Sequence, residues 1–556
     1  MTTPPSDCSV LIVGGGPCGL MLANELGRRG VTAVLVDQKP TTAFNPQANA
    51  TQARTMEHFR RLGFAGEIRA LGLPPDYPTD IAYFTRYAKH ELARFKLPSA
   101  REAVERVKQL SGSWSAAELP HRVSQKFVEQ VLRRHAEALP GISVHYGWRL
   151  IRFSETADGI EADIERVSDG KAHHIRSAFL VGADGPRSTV RQALGFQYTG
   201  EEGAVRDFFG GRMFAIYLRA PEFYQAVPHP PAWMNVTFNH ERRAFMAAVD
   251  GKGEFAFHTQ LRPHEVEGEI TGERALAMFQ EAVGAPIQAE ILSQGTWIAG
   301  YALVADRFQR GRAFIAGDAA HLFTPAGGLG YNTAIEDAVN LGWKLAATIR
   351  GSGGPDLLAS YEAERQPNAR RNTAYARQFA DSLGTFVPVP EIEDETPDGV
   401  EARRLAGSYL EAHGKAEFNI PGITFGARYY TSPITVSDGT EPPPDAANLY
   451  VPSACPGGRA PHLWLSAEQS LYDRFGFEWT LLRLSNRADG RQMAAAASAL
   501  GLDMKGVDLR SDEARDLYQA DLVLIRPDQI VAWRGNSDET ATDILRRVLG
   551  RRMTDT

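Results

Sequence analysis

Cysteine is scarce in this chain, with three in 556 residues, at Cys8, Cys18 and Cys455. An odd, widely spaced set builds no disulfide framework, and none of the three stands in a zinc-ligand spacing. The expectation is a reducing cytoplasm and no metal centre. A basic surplus is also missing, since 60 Lys and Arg stand against 67 Asp and Glu, for a net charge of -7. That balance, with no polybasic block, argues against nucleic acid and against an anionic membrane surface as partners. No apolar run reaches the roughly 18 residues that a membrane helix needs. The stretch from Met1 to Cys8 is polar and carries Pro4 and Pro5, so it does not read as a signal peptide. Neither HExxH nor GxSxG occurs, which removes the usual metalloprotease and serine hydrolase patterns. No internal repeat or low-complexity tract interrupts the chain.

What is present is an ordinary globular composition, 43% hydrophobic and 23% charged. At about 150 residues per domain the length suggests two to four domains. Ser9 to Val13 is a short apolar run. Leu20, Ala23 and Leu26 then recur at helical spacing up to Gly30, and Ala33 to Val36 is a second apolar run ending at Asp37. This pattern predicts one strand–helix–strand unit with parallel strands. Further strands are expected over 142–184, 205–262 and Ala313 to Ala316, and helices over Ser124 to Leu139, Asn332 to Arg350 and Leu357 to Ser382. Residues 80–110 are ambiguous. The Pro-, Gly- and Asp-rich stretch 385–460 is expected to hold a linker. Beyond it, strands alternate with helical segments up to a final helix over Ser537 to Arg552.

The sharpest motif is Gly14-Gly15-Gly16-Pro17-Cys18-Gly19, a GxGxxG at the predicted strand-to-helix junction. Gly14 suits the tight turn, Gly16 admits a pyrophosphate to the backbone, and Gly19 lets the helix lie close to the sheet. The helix N-terminus stabilises the anion. Asp37 follows Gly19 by 18 residues, where a carboxylate binds a ribose hydroxyl. This fingerprint suits NAD or FAD and does not choose between them. Two more glycine–aspartate turns follow buried runs, at Gly182 to Ser188 and at Gly317 to His321. The second leads into Pro325-Ala326-Gly327-Gly328-Leu329-Gly330-Tyr331-Asn332 and a long helix, another place where backbone N–H groups face an anion or an electron-rich ring.

Three ordered segments, VGGGPCG at 13–19, VGADGPRSTVR at 181–191 and GRAFIAGDAAHLFTPAGGLGYNTAIEDAVNLGWKL at 311–345, carry a resemblance. The chain resembles the single-component flavoprotein aromatic hydroxylases of the para-hydroxybenzoate hydroxylase type. It is most similar to the larger members that act on phenols and aromatic polyketides and end in a thioredoxin-like domain. The resemblance implies an α/β protein: a Rossmann-type FAD-binding domain over 1–80, 111–190 and 290–384, and an inserted β-sheet substrate domain over 81–110 and 191–289. A linker at 385–424 and a thioredoxin-like α/β domain at 425–556 would follow. By the same resemblance Gly14, Gly16, Pro17, Gly19 and Asp37 hold the ADP half of FAD, and Arg54 is a flavin-side arginine. Gln125 contacts FAD, Asp184 and Arg187 belong to a segment tied to FAD and the nicotinamide cofactor, and Asp318 binds the ribityl chain. Pro325, Gly328, Gly330, Tyr331 and Asn332 line the isoalloxazine. With one fingerprint and FAD in it, NADPH or NADH must dock transiently, reduce the flavin and leave. The reduced flavin then reacts with O2 and transfers oxygen, through a C4a-hydroperoxide, to a small aromatic substrate. The resemblance admits a homodimer. Alternatives are a Baeyer–Villiger or epoxidising enzyme acting on an aromatic polyketide, or a flavin dehydrogenase without oxygen insertion.

The chain departs from the phenol-specific relatives in the segment before Arg54, where Gln47 replaces a basic residue often found there. Where several of them carry His, Asp or Cys before the flavin-side arginine, this sequence has Asn49, which takes no proton at neutral pH. No catalytic base is therefore assigned, and His258 and Tyr217 on the predicted substrate sheet are the replacement candidates. His321 in the GDAAH segment is expected to be a hydrogen-bonded structural histidine.

Overall fold

The computed structural model describes residues 3–202, 206 and 208–552. Its first layer is an eight-stranded sheet whose parallel centre sets Ala313–Ile315, Ala172–Gly182, Asp7–Val13, Ala33–Asp37 and Ile142–Tyr146 side by side. Leu11 pairs with Val34 and with Leu180. The stretches that face one another at its centre, Val10 to Val13, Ala33 to Val36, Phe179 to Val181 and Ala313 to Ile315, are apolar and buried because helices cover the sheet there, as parallel sheets require. Pro17–Gly27 is the crossover helix between the first two parallel strands, and it packs on Gln125–Glu137 and Leu329–Ile349. Gly342 is where the long helix comes closest, since a Cβ there would lie 2.6 Å from that of Glu25.

The second layer is a seven-stranded sheet in the order Glu290–Ala299, Gly211–Arg219, Glu254–Gln260, Ala244–Ala248, Met234–Thr237, Ile81–Phe84 and Glu91–Phe95. The ambiguous 80–110 region thus supplies two of its strands. Glu290–Ala299, expected in the FAD-binding domain, belongs to this sheet instead, because it pairs along its length with Gly211–Arg219. One face of the sheet carries Phe214, Ile216, Met246 and Phe257, all buried, and packs on the helix Gly272–Val283 through Phe257 and Phe279. On the other face Ala215, Met234, Phe245, His258 and Trp297 are only partly covered.

The expected linker 385–424 is not an open connection. It carries the helix Pro397–Phe418, which lies on the edge strand Glu91–Phe95 so closely that a Cβ on Gly407 would meet the Leu92 carbonyl at 2.4 Å. After it come Trp479–Arg483, Arg491–Ala499, Met504–Asp508, Asp512–Tyr518, Leu522–Ile525, Val531–Gly535 and Ala541–Val548, a β-α-β-α-β-β-α unit. Its first two strands are parallel and the last two antiparallel, which is the thioredoxin-like arrangement. This unit and the segment that leads into it are joined to the first layer by buried charges. Arg526 donates to Glu364 at 2.6 Å, Lys344 to the same carboxylate at 2.7 Å, and Arg459 pairs with Glu57 at 2.5 Å. Removing such groups from water is costly, and each carboxylate here has at least two donors to offset it. No helix among the described residues is long and apolar enough to cross a membrane.

Candidate functional site

The fingerprint turn forms as its glycines predict. Gly14 has φ +113°, and a Cβ there would lie 2.1 Å from the Ala183 carbonyl oxygen, so only glycine lets the ends of Asp7–Val13 and Ala172–Gly182 meet at this corner. A Cβ on Gly16 would meet nothing within 4 Å, and the helix that starts at Pro17 has no side-chain cap. Its first-turn amides therefore face open space, the condition for seating an anion. Asp37 accepts the Gly15 N–H at 2.6 Å and the Lys39 N–H at 2.7 Å, which fixes its carboxylate beside the turn. Tyr146 donates from its hydroxyl to the Gly15 carbonyl at 2.7 Å.

Asp318 stands across this opening. Its carboxylate reaches solvent and has no hydrogen bond or ion pair among the described residues. The surrounding protein still pushes its pKa up, an effect eased by His321 and Lys39. The turn that presents it is held from beneath by Asp337. That carboxylate accepts the Gly317 N–H at 3.0 Å, Arg365 Nε at 2.7 Å and lies 2.6 Å from His321 Nε2. His321 is fully buried beneath the turn.

The glycine loop turns back through two left-handed residues, Gly327 at φ +72° and Gly328 at φ +63°, before the long helix begins. Pro325 is exposed, and Gly328, Gly330 and Tyr331 are half-buried on its open side. Asn332 behaves differently from the other residues expected to line a flavin ring. Its Oδ1 accepts the Gln52 N–H at 2.8 Å and the Thr55 hydroxyl at 2.7 Å, and its Nδ2 donates to the carbonyls of Ala50 at 2.9 Å and Gly328 at 2.7 Å. Its side chain is thus fully engaged in tying the loop to the segment 50–55. Gln52 Nε2 adds a bond to the Gly327 carbonyl at 3.0 Å, and Glu417, from the helix in the expected linker, accepts the Gly327 N–H at 2.8 Å.

Three other expected residues are also engaged. Gln125 donates to Glu129 at 2.8 Å, and Glu129 accepts the Ala43 N–H at 2.7 Å, so this pair holds the loop that leads to Asn49. Asp184 accepts the N–H groups of Thr189 at 2.7 Å and Val190 at 3.2 Å at the start of the helix Thr189–Ala193, while Arg187 stays exposed. Arg54, expected on the flavin side, has its hydrogen-bond partners within the protein. Its guanidinium donates to Glu57 at 2.8 Å, to Gln529 Oε1 at 2.7 Å and to the Asp528 carbonyl at 2.7 Å, so it is a seam residue between the first layer and the thioredoxin-like unit.

Sequence reasoning missed Glu417 and Lys126. Lys126 donates to the Tyr217 hydroxyl at 2.5 Å, Tyr217 donates to Glu254, and the ring of Phe44 meets that of Tyr217 at 5.6 Å. This cluster joins the helix Gln125–Glu137 to the partly open face of the seven-stranded sheet. Only Lys126 following Gln125 on one helix hinted at it.

The Gly14–Gly19 turn, open over Gly16, thus lies beside Asp37 and against the Asp318 turn, where a Cβ on Gly317 would meet Cys18 at 3.2 Å, and the Asp318 carboxylate has no partner among the described residues. Both features fit an elongated dinucleotide whose pyrophosphate and polyol need an anion seat and an acceptor. Two family signatures agree. The FAD binding domain matches residues 7–376, and the aromatic-ring hydroxylase C-terminal domain matches residues 453–552. The chain is 30% identical over 553 residues to the FAD-dependent monooxygenase apdD of Emericella nidulans, covering 95% of this chain and 88% of that protein. It superposes on the rebeccamycin biosynthetic enzyme RebC with reduced flavin at a TM-score of 0.87 and 32% identity, over 99% of this chain and 100% of the other. The ternary complex of aklavinone-11 hydroxylase with FAD and aklavinone is similar at a TM-score of 0.80 and 26% identity, over 99% and 100% of the two chains. The turn, the opening and these likenesses lead to one assignment: the chain belongs to the FAD-binding aromatic-ring hydroxylases, a family of FAD-dependent monooxygenases.

Proposed function

We propose that this enzyme hydroxylates a phenolic or otherwise electron-rich aromatic molecule with NAD(P)H and O2, in the cleft between the Pro325–Tyr331 loop and the half-covered face of the seven-stranded sheet. The observation that carries this reading is the sheet face itself. Met234, Phe245, His258 and Trp297 are left partly open in a sheet whose opposite face is buried, and an aromatic guest fills such a surface.

Within that reading Gly14, Gly16 and the helix beginning at Pro17 seat the FAD pyrophosphate. Asp37 lies beside the adenosine ribose, and Asp318 accepts from the ribityl hydroxyls. Pro325, Gly328, Gly330 and Tyr331 border the ring system. Bound FAD supplies the redox chemistry, taking a hydride from the nicotinamide and activating O2 for insertion. The chain's own residues hold the substrate ring in line, keep water away and fix the loop. Asn332, Gln52 and Glu417 clamp the loop from behind, so its orientation does not change during the reaction. Exposed Arg187 lies on the route by which a nicotinamide phosphate approaches. The scarcity of cysteine supports a cytoplasmic setting.

The test is a panel of phenols and fused-ring aromatics added to the flavin-loaded protein, reading NAD(P)H oxidation, O2 uptake and product mass together. Ligand-stimulated oxidation with one oxygen atom added to the product is the expected result. Oxidation without oxygen in any product marks a dehydrogenase.

A further inference from the structure

In the middle of the half-covered sheet face, strand register places Phe245 and Ala215 directly beside His258 on its two neighbouring strands. The imidazole lies flat on Phe245, with ring centroids 4.6 Å apart and 10° between planes, and edge-on to Trp297. The Trp297 indole N–H points at His258 Nδ1 over 3.1 Å. An indole nitrogen donates and never accepts. The ring atom it faces must therefore be the unprotonated nitrogen, and the proton of the neutral ring must sit on Nε2. His258 makes no other hydrogen bond among the described residues.

Resting on the hydroxylase reading above, we propose that His258 is a fixed hydrogen-bond donor in the substrate cleft, its Nε2–H recognising a phenolate or carbonyl oxygen on the aromatic substrate, and that Trp297 is the positioning residue that sets this tautomer. The substrate class is thus an aromatic with an anionic or strongly accepting ring oxygen. A phenol gives its proton to solvent as it binds, and no protein base is required. The chemistry of the surroundings agrees. Burial alone holds the His258 pKa down to about 4, with no charged group bearing on it, so the ring stays neutral at working pH. Its one acceptor nitrogen is already taken by Trp297, which removes it as a general base. Tyr217, the other base candidate, donates to Glu254 and is pushed up in pKa by burial and by that carboxylate.

Nitrogen-15 histidine spectra of the flavin-loaded protein test the tautomer without turnover. A single neutral tautomer with the proton on Nε2 from pH 6 to pH 9 is expected for wild type, and loss of that fixed tautomer is expected in Trp297→Phe. A proton on Nδ1, or titration near neutrality, overturns the proposal. Binding of para-nitrophenolate to the same protein tests recognition. A charge-assisted hydrogen bond makes wild type bind it about ten- to a hundredfold more tightly than His258→Leu. His258→Gln, which keeps an N–H at a similar reach, is expected to retain most of that affinity. Equal binding by wild type and His258→Leu, no rescue by glutamine, or no binding to wild type at all counts against the donor role. Flavin content and the visible spectrum of each variant show that it has folded. The hydroxylase reading itself stands or falls on oxygen incorporation across the wider panel, so the two failures are distinguishable.

Discussion

The side-chain oxygen of Asn332, at the start of the helix Leu329–Ile349, accepts the backbone N–H of Gln52 at 2.8 Å. This bond, with its three companions from the same amide, makes the glycine loop and the segment 50–55 a single mechanical unit. Replacing Asn332 with Ala leaves the Gln52 N–H, the Thr55 hydroxyl and the Ala50 carbonyl without it. At about 1–3 kcal/mol for each buried group left unmade, partly relieved by water, the variant is expected to lose about 3 kcal/mol of stability. Flavin fluorescence during thermal unfolding checks this, because FAD release should come several degrees earlier. A variant with unchanged release temperature would show that the tie is redundant.

The Asp318 carboxylate has no hydrogen bond or ion pair among the described residues, so its removal should separate binding from folding. Asp318→Ala is expected to weaken FAD retention about ten- to a hundredfold, the worth of one charge-assisted hydrogen bond. The apoprotein, relieved of a carboxylate whose charged form the surrounding protein disfavours, should be at least as stable as wild type at neutral pH. Equilibrium dialysis of FAD and urea unfolding of the apoprotein measure the two separately. Unchanged FAD affinity would remove Asp318 from the ribityl contact.

Arg54 predicts the opposite split. Arg54→Met breaks its bonds to Gln529 and to the Asp528 carbonyl while Arg459 still pairs with Glu57. The expected result is a loss of about 2–4 kcal/mol and faster proteolysis of the thioredoxin-like unit, with FAD affinity changed less than about threefold. A large fall in FAD affinity with normal domain stability would restore a flavin-side role.

Three histidines whose pKa is held down contribute to the acid behaviour. Burial holds His258 near about 4 and is the largest cause holding His121 and His462 near about 3. Their unfolded value is about 6.5, so between that pH and about 3 the unfolded chain binds more protons than the folded one. Stability therefore falls as pH drops through this window. His258→Leu should lose less on going from pH 8 to pH 4.5 than wild type does, by about 2 kcal/mol. Urea unfolding midpoints at the two pH values give the comparison, and parallel pH profiles would contradict it.

Tyr217→Phe removes the hydroxyl that links Lys126 and Glu254 but leaves the ring against Phe44. Since that hydroxyl donates to a carboxylate, it is not the base of the reaction. Oxygen transfer in rapid-mixing kinetics is expected to slow by less than about tenfold, below the 10²–10⁴-fold that a general base contributes. A slowing of a hundredfold would name Tyr217 as a proton acceptor.

The sequence alone determined the fingerprint turn, because a tight turn, a helix start and two apolar strands are local patterns within about 30 residues. It likewise determined the Asp318 turn and the family, since three ordered motifs survive without any knowledge of packing. Long-range pairing was out of its reach. Glu290–Ala299 reads as a strand of either domain, and only its register with Gly211–Arg219 assigns it. The Pro- and Gly-rich composition of 385–424 concealed the helix Pro397–Phe418, whose glycines serve close packing on an edge strand rather than flexibility. Arg54 and Asn332 stand in motif positions that point to flavin. The tertiary structure gave them other partners, because a buried guanidinium or amide binds the acceptors and donors that the fold brings within reach, here Gln529 from the last domain and the backbone of 50–52. His258 shows the same limit from the other side. Residue type allowed it to be a base, and the indole of Trp297, brought to its Nδ1 from two strands away, decided that it holds its proton on the other nitrogen.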